Sequence, residues 1–222
     1  TAKINFLGTL NMLELARISN AKLIMASTSE IYGNPKYHPQ REDYWGYVNP
    51  IGIRSCYKEG KRFAESLCFD YLRTYETEVK IARIFNTYGP NMMPNDGRVV
   101  SNFICQALTN QPLCINGDGS QTRAFCYIDD LIEGLIKLMD SKISGPINFG
   151  NPKEELSILN LANLIKQKIN PNISLQKREF LEDESIRRKP DIEAASKYLN
   201  WEPKVNLESG LDKTIKYFRG VV

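Results

Sequence analysis

Residues 22–30 read KLIMASTSE, a short apolar run that leads directly into three hydroxyl-bearing residues and a carboxylate. The apolar part, Lys22–Ala26, predicts a buried strand. Apolar residues at helical spacing precede it over Ala2–Ile18 and follow it over Ile51–Tyr75, and a second apolar run covers Val79–Phe85. Strands that alternate with helices predict an α/β fold with a largely parallel, doubly wound sheet.

From about Gly97 onward the predicted elements become shorter, and turns rich in Gly and Pro become more frequent. We interpret this change as a smaller C-terminal α/β lobe over residues 97–222, beside a first domain over residues 1–96. Residues 124–145 are predicted to return to the first domain. Asp129 or Asp130 is predicted to cap the helix in that stretch. Further helices are predicted over 99–108, 155–169, 191–199 and 207–218.

The composition excludes several classes of protein. The chain has 222 residues, of which 42% are hydrophobic and 25% charged, and its net charge is +3. So small a net charge predicts neither a surface that binds nucleic acid nor a basic patch that binds a membrane. The sequence has no apolar run long enough to span a membrane and no secretory leader near its start. Five widely spaced cysteines and a single His predict no metal site, and they favour a reducing, cytoplasmic compartment.

A tyrosine and a lysine one helical turn apart form the first candidate catalytic pair. Tyr57 and Lys61 stand at positions i and i+4 and therefore share a helix face. A lysine ammonium favours the phenolate, so the pair can take a proton from a hydroxyl group. Alone, this spacing is more typical of two ordinary helix-surface residues.

Two further groups of polar residues are candidates for binding. Ser27–Glu30 follows a predicted strand, where open α/β sheets bind ligands, although a helix cap or polar turn would use the same residue types. Arg98, Arg123 and Arg188 lie in or beside predicted loops and suit phosphate or carboxylate, the alternative being solvated surface charge. Cys56 and Trp45 are predicted to be packing residues.

Several longer motifs accompany these residues. They are STSEIYG (27–33), HPQ (38–40), YWG (44–46), VNPIG (48–52), RIFNTYGP (83–90), DGRVVSNFI (96–104), QTR (121–123), RKPDI (188–192) and WEP (201–203). Together they resemble the extended short-chain dehydrogenase/reductase family that modifies nucleotide sugars. Within that family, DGRVVSNFI and the Thr-Ser-Glu triplet resemble the UDP-glucuronate decarboxylase branch.

The resemblance implies a partial Rossmann domain that binds NAD, followed by a lobe that binds a UDP-sugar. It also implies decarboxylation of UDP-glucuronate to UDP-xylose through a 4-keto intermediate. The implied catalytic residues are Thr28, Ser29, Glu30, Tyr57, Lys61 and Arg188. The implied cofactor-binding residues are Ser27, Tyr57, Lys61 and Thr87. The implied substrate-binding residues are Asn86, Arg98, Val100, Asn102, Ile115, Gly117, Arg123 and Arg188.

The family also implies a homodimer in which helices equivalent to Ala2–Ile18 and Ile51–Tyr75 pack across the dimer axis. A Golgi lumen stays open as the compartment if an anchor lies upstream. Two departures from the family pattern stand out. Asn91 replaces an arginine, which weakens a phosphate contact, and Lys58 replaces an acidic residue, which we assign to surface variation.

The sequence contains no glycine-rich phosphate loop of the kind that opens a Rossmann domain. We therefore expect the chain to be the C-terminal part of a decarboxylase, one that alone binds NAD weakly and is inactive alone. A non-catalytic nucleotide-sugar binder is the alternative of a different class. An epimerase or 4,6-dehydratase of the same family is a third reading, which Ser29 disfavours because the dehydratases carry an acidic residue there.

Overall fold

The computed structural model describes residues 1–94, 96–180 and 183–222. It contains seven α-helices within this part of the chain: α1 Thr9–Ser19, α2 Ser55–Tyr75, α3 Val99–Leu108, α4 Ile128–Asp140, α5 Ile158–Ile169, α6 Glu193–Leu199 and α7 Leu207–Phe218. The strands are β1 Leu23–Thr28, β2 Val79–Ile84, β3 Thr87–Tyr88, β4 Leu113–Asn116, β5 Thr122–Ala124, β6 Cys126–Tyr127, β7 Ile147–Phe149, β8 Glu155–Ser157, β9 Leu175–Arg178 and β10 Arg187–Arg188.

The first lobe is built on a parallel sheet with the order β1-β2-β7. Met25 lies opposite Ile81, and Ala82 lies opposite Ile147. Helices α1 and α2 cover one face, where Leu13 and Cys68 join Met25 in one buried cluster. This face is apolar because alternate strand residues and one side of each helix point into it.

Later segments of the chain cover the other face of this sheet. Helices α4 and α6 pack there, and Trp201 is fully buried with its ring edge-on to Phe149 at 5.0 Å. Gly134 of α4 lies so close that an added Cβ would stand 2.5 Å from the Phe149 ring. The first sheet therefore has helices on both sides, as a doubly wound fold requires.

The second lobe has its own core between α3, α5 and α7 and short strand pairs. The strand pairs are β4-β9 and β3-β6, together with the three-stranded sheet β10-β5-β8. Phe103, Leu161, Leu211 and Phe218 are almost completely buried in one cluster. The domain boundaries stay an interpretation, but the two cores are separate clusters of buried residues.

The structure confirms the α/β class and corrects several element boundaries. Helix α2 begins at Ser55, because Ile51 and Ile53 lie exposed in turns and belong to no apolar helix face. Residues 155–157 form β8 instead of helix, and the hydroxyl of Ser157 caps α5 by accepting from the backbone of Asn160.

Three smaller expectations also fail. Neither Asp129 nor Asp130 caps α4, because Asp130 instead accepts a hydrogen bond from the backbone N–H of Val205 at 2.9 Å. Cys56 is exposed, since it points away from the helix face that packs on the sheet. Trp45 is 87% exposed and lies in a loop.

Within the described ranges, no helix combines the length and the apolar character needed to cross a membrane. The same residues contain no group of three or more His, Cys, Asp or Glu side chains placed to hold a metal ion.

Candidate functional site

The candidate site lies where β1 ends and α2 begins. Strand β1 runs into a short 3-10 turn, Ser29–Tyr32, and the Thr28 hydroxyl accepts a hydrogen bond from the Glu30 backbone at 3.2 Å. Ser29 is buried, and the side chain of Glu30 is only 14% exposed. The turn thus presents a partly enclosed carboxylate at the carboxyl end of the sheet, where open α/β folds bind ligands.

Glu30 is held by two arginines. Arg54 donates two hydrogen bonds to its carboxylate, at 2.6 Å and 3.2 Å, and Arg188 approaches it at 4.0 Å. Burial lowers the pKa of Arg188, and the Glu30 carboxylate opposes this effect. The predicted residues Glu30 and Arg188 therefore come together, and Tyr57 lies one turn of α2 after Arg54.

A second guanidinium lies beside Arg188. Arg123 of β5 is directly opposite Arg188 of β10 in the parallel ladder. Arg123 is 4% exposed and donates to Glu184 at 2.9 Å. Burial and the neighbouring Arg188 charge lower the pKa of Arg123 to about 10. Two buried cations side by side form a strong anion-binding position.

Lys61 lies one turn after Tyr57 on α2 and is tied to the end of β1. Its ammonium donates to the Ala26 carbonyl at 2.9 Å. Burial lowers the pKa of Lys61. The shared helix face and the anchoring bond hold Lys61 beside Tyr57, as the Tyr57–Lys61 spacing predicts.

Ser27 has a different position from the one its predicted cofactor role requires. Its side chain is 4% exposed and donates to Glu65 of α2 inside the first lobe. Glu65 in turn forms a buried pair with Arg83 of β2, at 2.8 Å. The strand alternation that buries Met25 also turns Ser27 inward, so its hydroxyl is committed to the interior.

Two predicted residues follow β2. Asn86 has a buried Oδ1 that accepts no hydrogen bond from any described residue. Thr87 opens β3 and donates to the Phe85 carbonyl at 3.1 Å. Asn86 therefore has an acceptor available for a ligand, whereas the Thr87 hydroxyl is already bonded locally.

The predicted substrate-binding residues of the second lobe differ in how far their side chains are exposed. Val100 and Ile115 are buried in the core, which leaves only their backbone for a ligand contact. Arg98 is exposed and pairs with Asp96 at 3.6 Å. Asn102 of α3 is partly exposed, and Gly117 has φ +67 with Phe180 beside it. No hydrogen bond or ion pair between described residues links Arg98 to the cluster around Glu30.

The sequence pattern does not predict the positions of Arg54, Glu184 and Lys58 beside the site. Lys58, assigned to surface variation, is 3% exposed and donates to the Asp183 carbonyl at 3.0 Å. Arg54 precedes Tyr57 by three residues, one turn away, which is the only local signal for its place. Glu184 and Lys58 carry no such signal, because their partners lie 61 and 125 residues away in the chain.

The described residues fit part of a bound NAD. Lys61 is bonded to the Ala26 carbonyl of β1, and its half-buried ammonium can also donate to a ribose hydroxyl. Tyr57 precedes Lys61 by one turn of α2. Both residues belong to one helix face, so they can act on the same bound group.

This chain is similar to proteins of one enzyme family. Residues 1–150 match the model of the NAD dependent epimerase/dehydratase family. UDP-glucuronic acid decarboxylase 1 of Xenopus tropicalis is 55% identical over 99% of this chain and 52% of its own length. UDP-glucuronic acid decarboxylase 2 of Arabidopsis thaliana is 54% identical over 99% of this chain and 49% of its own length. The chain thus spans about half the length of these curated relatives.

Solved structures show the same fold. UDP-glucose 4-epimerase of Thermotoga maritima, solved with UDP-glucose, superposes with a TM-score of 0.92 at 28% identity, over 99% of this chain and 71% of that one. UDP-glucuronic acid 4-epimerase of Bacillus cereus, solved with UDP-glucuronic acid and NAD, gives 0.89 at 30% identity, over 98% and 68%. With the matched family model and this shared fold, the chain belongs to the NAD dependent epimerase/dehydratase family.

Proposed function

We propose that this chain provides the Tyr-Lys pair and the anion-binding arginines of an NAD-dependent decarboxylase that converts UDP-glucuronate to UDP-xylose through a 4-keto intermediate. The observation that carries the proposal is the pairing of Glu30 with Arg54 and Arg188 at the carboxyl end of β1, next to the start of the helix that carries Tyr57 and Lys61. Identity above one half to UDP-glucuronic acid decarboxylases over nearly the whole chain supports the substrate.

Tyr57 is the proposed base for the sugar 4-hydroxyl, and Lys61 is the proposed cation that favours its phenolate. NAD, when bound, supplies the hydride acceptor and later the donor. The resulting 4-keto acid is a β-keto acid, and it loses CO2 because the ketone accepts the electron pair. Thr28 and Ser29 are proposed to orient the sugar, and Glu30 to assist proton transfer.

The charges of the site suit an anionic sugar nucleotide. UDP-glucuronate carries a diphosphate and a carboxylate, and Arg123 and Arg188 form one buried cationic pair. The Nε of Arg188 and the Oδ1 of Asn86 have no partner among the described residues, so each is a free hydrogen-bonding position. We assign Arg188 to the carboxylate or keto sugar, and Arg123 and Asn86 to the UDP part.

A homodimer is part of the proposal. Helices α1 and α2 expose several large apolar side chains beside each other, including Met12, Leu15, Ile18 and Phe63. Such a surface is typical of a contact with a second copy. The unpaired state of all five cysteines favours a reducing compartment, for which we propose the cytoplasm.

The test is Tyr57→Phe in the protein expressed from its complete reading frame. We expect CO2 release from UDP-glucuronate to fall by at least about 100-fold, because the proton acceptor is lost. UDP-glucuronate binding, measured by calorimetry, should stay within about twofold of wild type because the arginines remain. Tyr75→Phe, at an exposed position of the same helix, is the control. Near-normal CO2 release by Tyr57→Phe would refute the assigned role.

Product analysis separates this function from its closest alternative. The likeness to UDP-glucuronic acid 4-epimerase supports epimerisation at C4 as the second candidate. A decarboxylase releases CO2 and forms a five-carbon sugar nucleotide, whereas an epimerase retains the carboxylate. Chromatography of the products with quantification of CO2 decides between them.

A further inference from the structure

We propose that Lys58 is a positioning residue, which fastens the segment of Asp183 and Glu184 to helix α2 and so holds Arg123 and Arg188 at the site of Glu30. The proposal rests on the proposed function for its kinetic part. It assigns a task to a residue that no catalytic or binding role yet includes.

Two residues near the start of α2 form hydrogen bonds with Asp183, one with its main chain and one with its side chain. Lys58 donates to its backbone carbonyl at 3.0 Å, and Asn49 donates to its carboxylate at 2.8 Å. Gly52 makes room for this carboxylate, because an added Cβ at Gly52 would stand 1.4 Å from it. The loop at Asn49 is itself fixed, since the Ser55 hydroxyl donates to the Asn49 carbonyl.

The next residue carries the contact into the binding site. Glu184 accepts from Arg123 at 2.9 Å, and Arg123 is paired in register with Arg188. A chain of contacts therefore runs from Lys58 through Asp183 and Glu184 to the Arg123 guanidinium, and the ladder of β5 and β10 continues it to Arg188. Its start, Lys58, follows Tyr57 directly in the helix that also carries Lys61.

The burial of Lys58 is informative. A lysine is rarely 3% exposed, because its ammonium loses water when it leaves the surface. The aliphatic part of the Lys58 side chain is buried, and its ammonium donates a hydrogen bond to the backbone carbonyl of Asp183. An acidic side chain at position 58 could not donate this bond, so the contact depends on the lysine or on an arginine.

The experiment compares Lys58→Met, which removes the donor and keeps the length, with Lys58→Arg, which keeps a donor. Lys142→Met, at an exposed lysine outside the site, is the control. Hydrogen exchange of residues 183–188 is measured on the unliganded protein, and KM and kcat for UDP-glucuronate are measured on the complete reading frame. Thermal unfolding is recorded for each variant.

For Lys58→Met we expect exchange in residues 183–188 to rise about tenfold, the effect of losing one charged hydrogen bond. KM should rise about tenfold while kcat stays within about twofold, because Tyr57 and Lys61 are untouched. Lys58→Arg should restore both values, and Lys142→Met should change neither.

Unchanged exchange at 183–188 together with an unchanged KM would overturn the proposal, and a fall in melting temperature alone would then show a purely structural lysine. If Lys58→Met does not fold, Asn49→Ala provides a second test, because it removes the hydrogen bond to the Asp183 carboxylate from an exposed residue. This variant should also raise hydrogen exchange in residues 183–188. Absence of turnover in the wild type would refute the proposed function, whereas the exchange measurement would still decide the role of Lys58.

Discussion

Replacement of Arg83 by Met should be among the most destabilising single changes in the first lobe. Arg83 lies in β2 with its side chain 10% exposed, and it binds both carboxylate oxygens of Glu65. It also donates to the Tyr32 hydroxyl at 3.0 Å and to the Glu42 carbonyl at 2.8 Å. Burial alone would lower the pKa of Arg83, but the hydrogen bonds and charges of Glu65 and Tyr32 together outweigh burial and raise that pKa.

The expected size of the effect follows from what the substitution leaves behind. Without Arg83, the Glu65 carboxylate stays 9% exposed with Ser27 as its remaining described donor. Breaking a buried pair on one side costs about 3–5 kcal/mol. With a urea m-value of about 2–3 kcal/mol per molar, the unfolding midpoint should fall by about 1.5 M.

The double variant Arg83→Met/Glu65→Leu separates two effects: the loss of the ion pair itself, and the cost of leaving the Glu65 carboxylate buried without a cation. Removal of both partners should recover at least about 2 kcal/mol relative to Arg83→Met, because no buried carboxylate then lacks its cation. Arg73→Met is the matched control, since its pair with Asp70 is about two-thirds exposed and should be worth less than about 1 kcal/mol. A loss below about 1 kcal/mol for Arg83→Met, or a double variant as unstable as the sum of the singles, would refute the reasoning.

Two further predictions concern stability alone. Burial would raise the pKa of Glu155, but hydrogen bonds and the nearby His38 outweigh burial and lower that pKa. The ionised carboxyl therefore stabilises the fold at pH values above its ordinary pKa. This stabilisation is lost as the pH falls through the lowered pKa. Glu155→Gln should therefore narrow the difference in urea midpoint between pH 7 and pH 4, and an unchanged difference would contradict this. Gly210→Ala would place a Cβ 2.1 Å from the Tyr88 hydroxyl, and it should lower the free energy of unfolding by about 1–3 kcal/mol. Gly220→Ala is the control, because its added Cβ has its nearest atom at 3.4 Å and should change stability little. Equal urea midpoints for the two variants would disprove the clash.

Much of this architecture follows from local pattern. The alternation of apolar runs and helical spacing predicts the parallel sheet, and α7 begins and ends at the predicted residues 207 and 218. The candidate site is also partly local, because Thr28–Glu30 lies at a strand end and Tyr57 and Lys61 share one helix face. The interior position of Ser27 could have been read from the same pattern, since it alternates with Met25 along β1.

The remaining features depend on contacts between distant parts of the chain. A charged residue in an apolar strand, Arg83, signals a buried partner, but nothing local identifies Glu65. Lys58 looks like a surface residue because its acceptor belongs to a segment 125 residues later. Arg123 and Arg188 become neighbours only through the short ladder of β5 and β10. Sequence spacing carries no information on such pairings, and the three-dimensional packing decides them.

The return of α4 and β7 to the first sheet has a consequence for engineering. Because β7 pairs with β2, and α4 and α6 fill the face behind them, the first lobe consists of pieces separated by parts of the second. Neither lobe is a continuous segment of the chain, so the second lobe cannot be replaced by that of a relative with a single pair of junctions. A chimera would need to replace several segments together, each with its own junction, while it leaves α4, β7 and α6 in place.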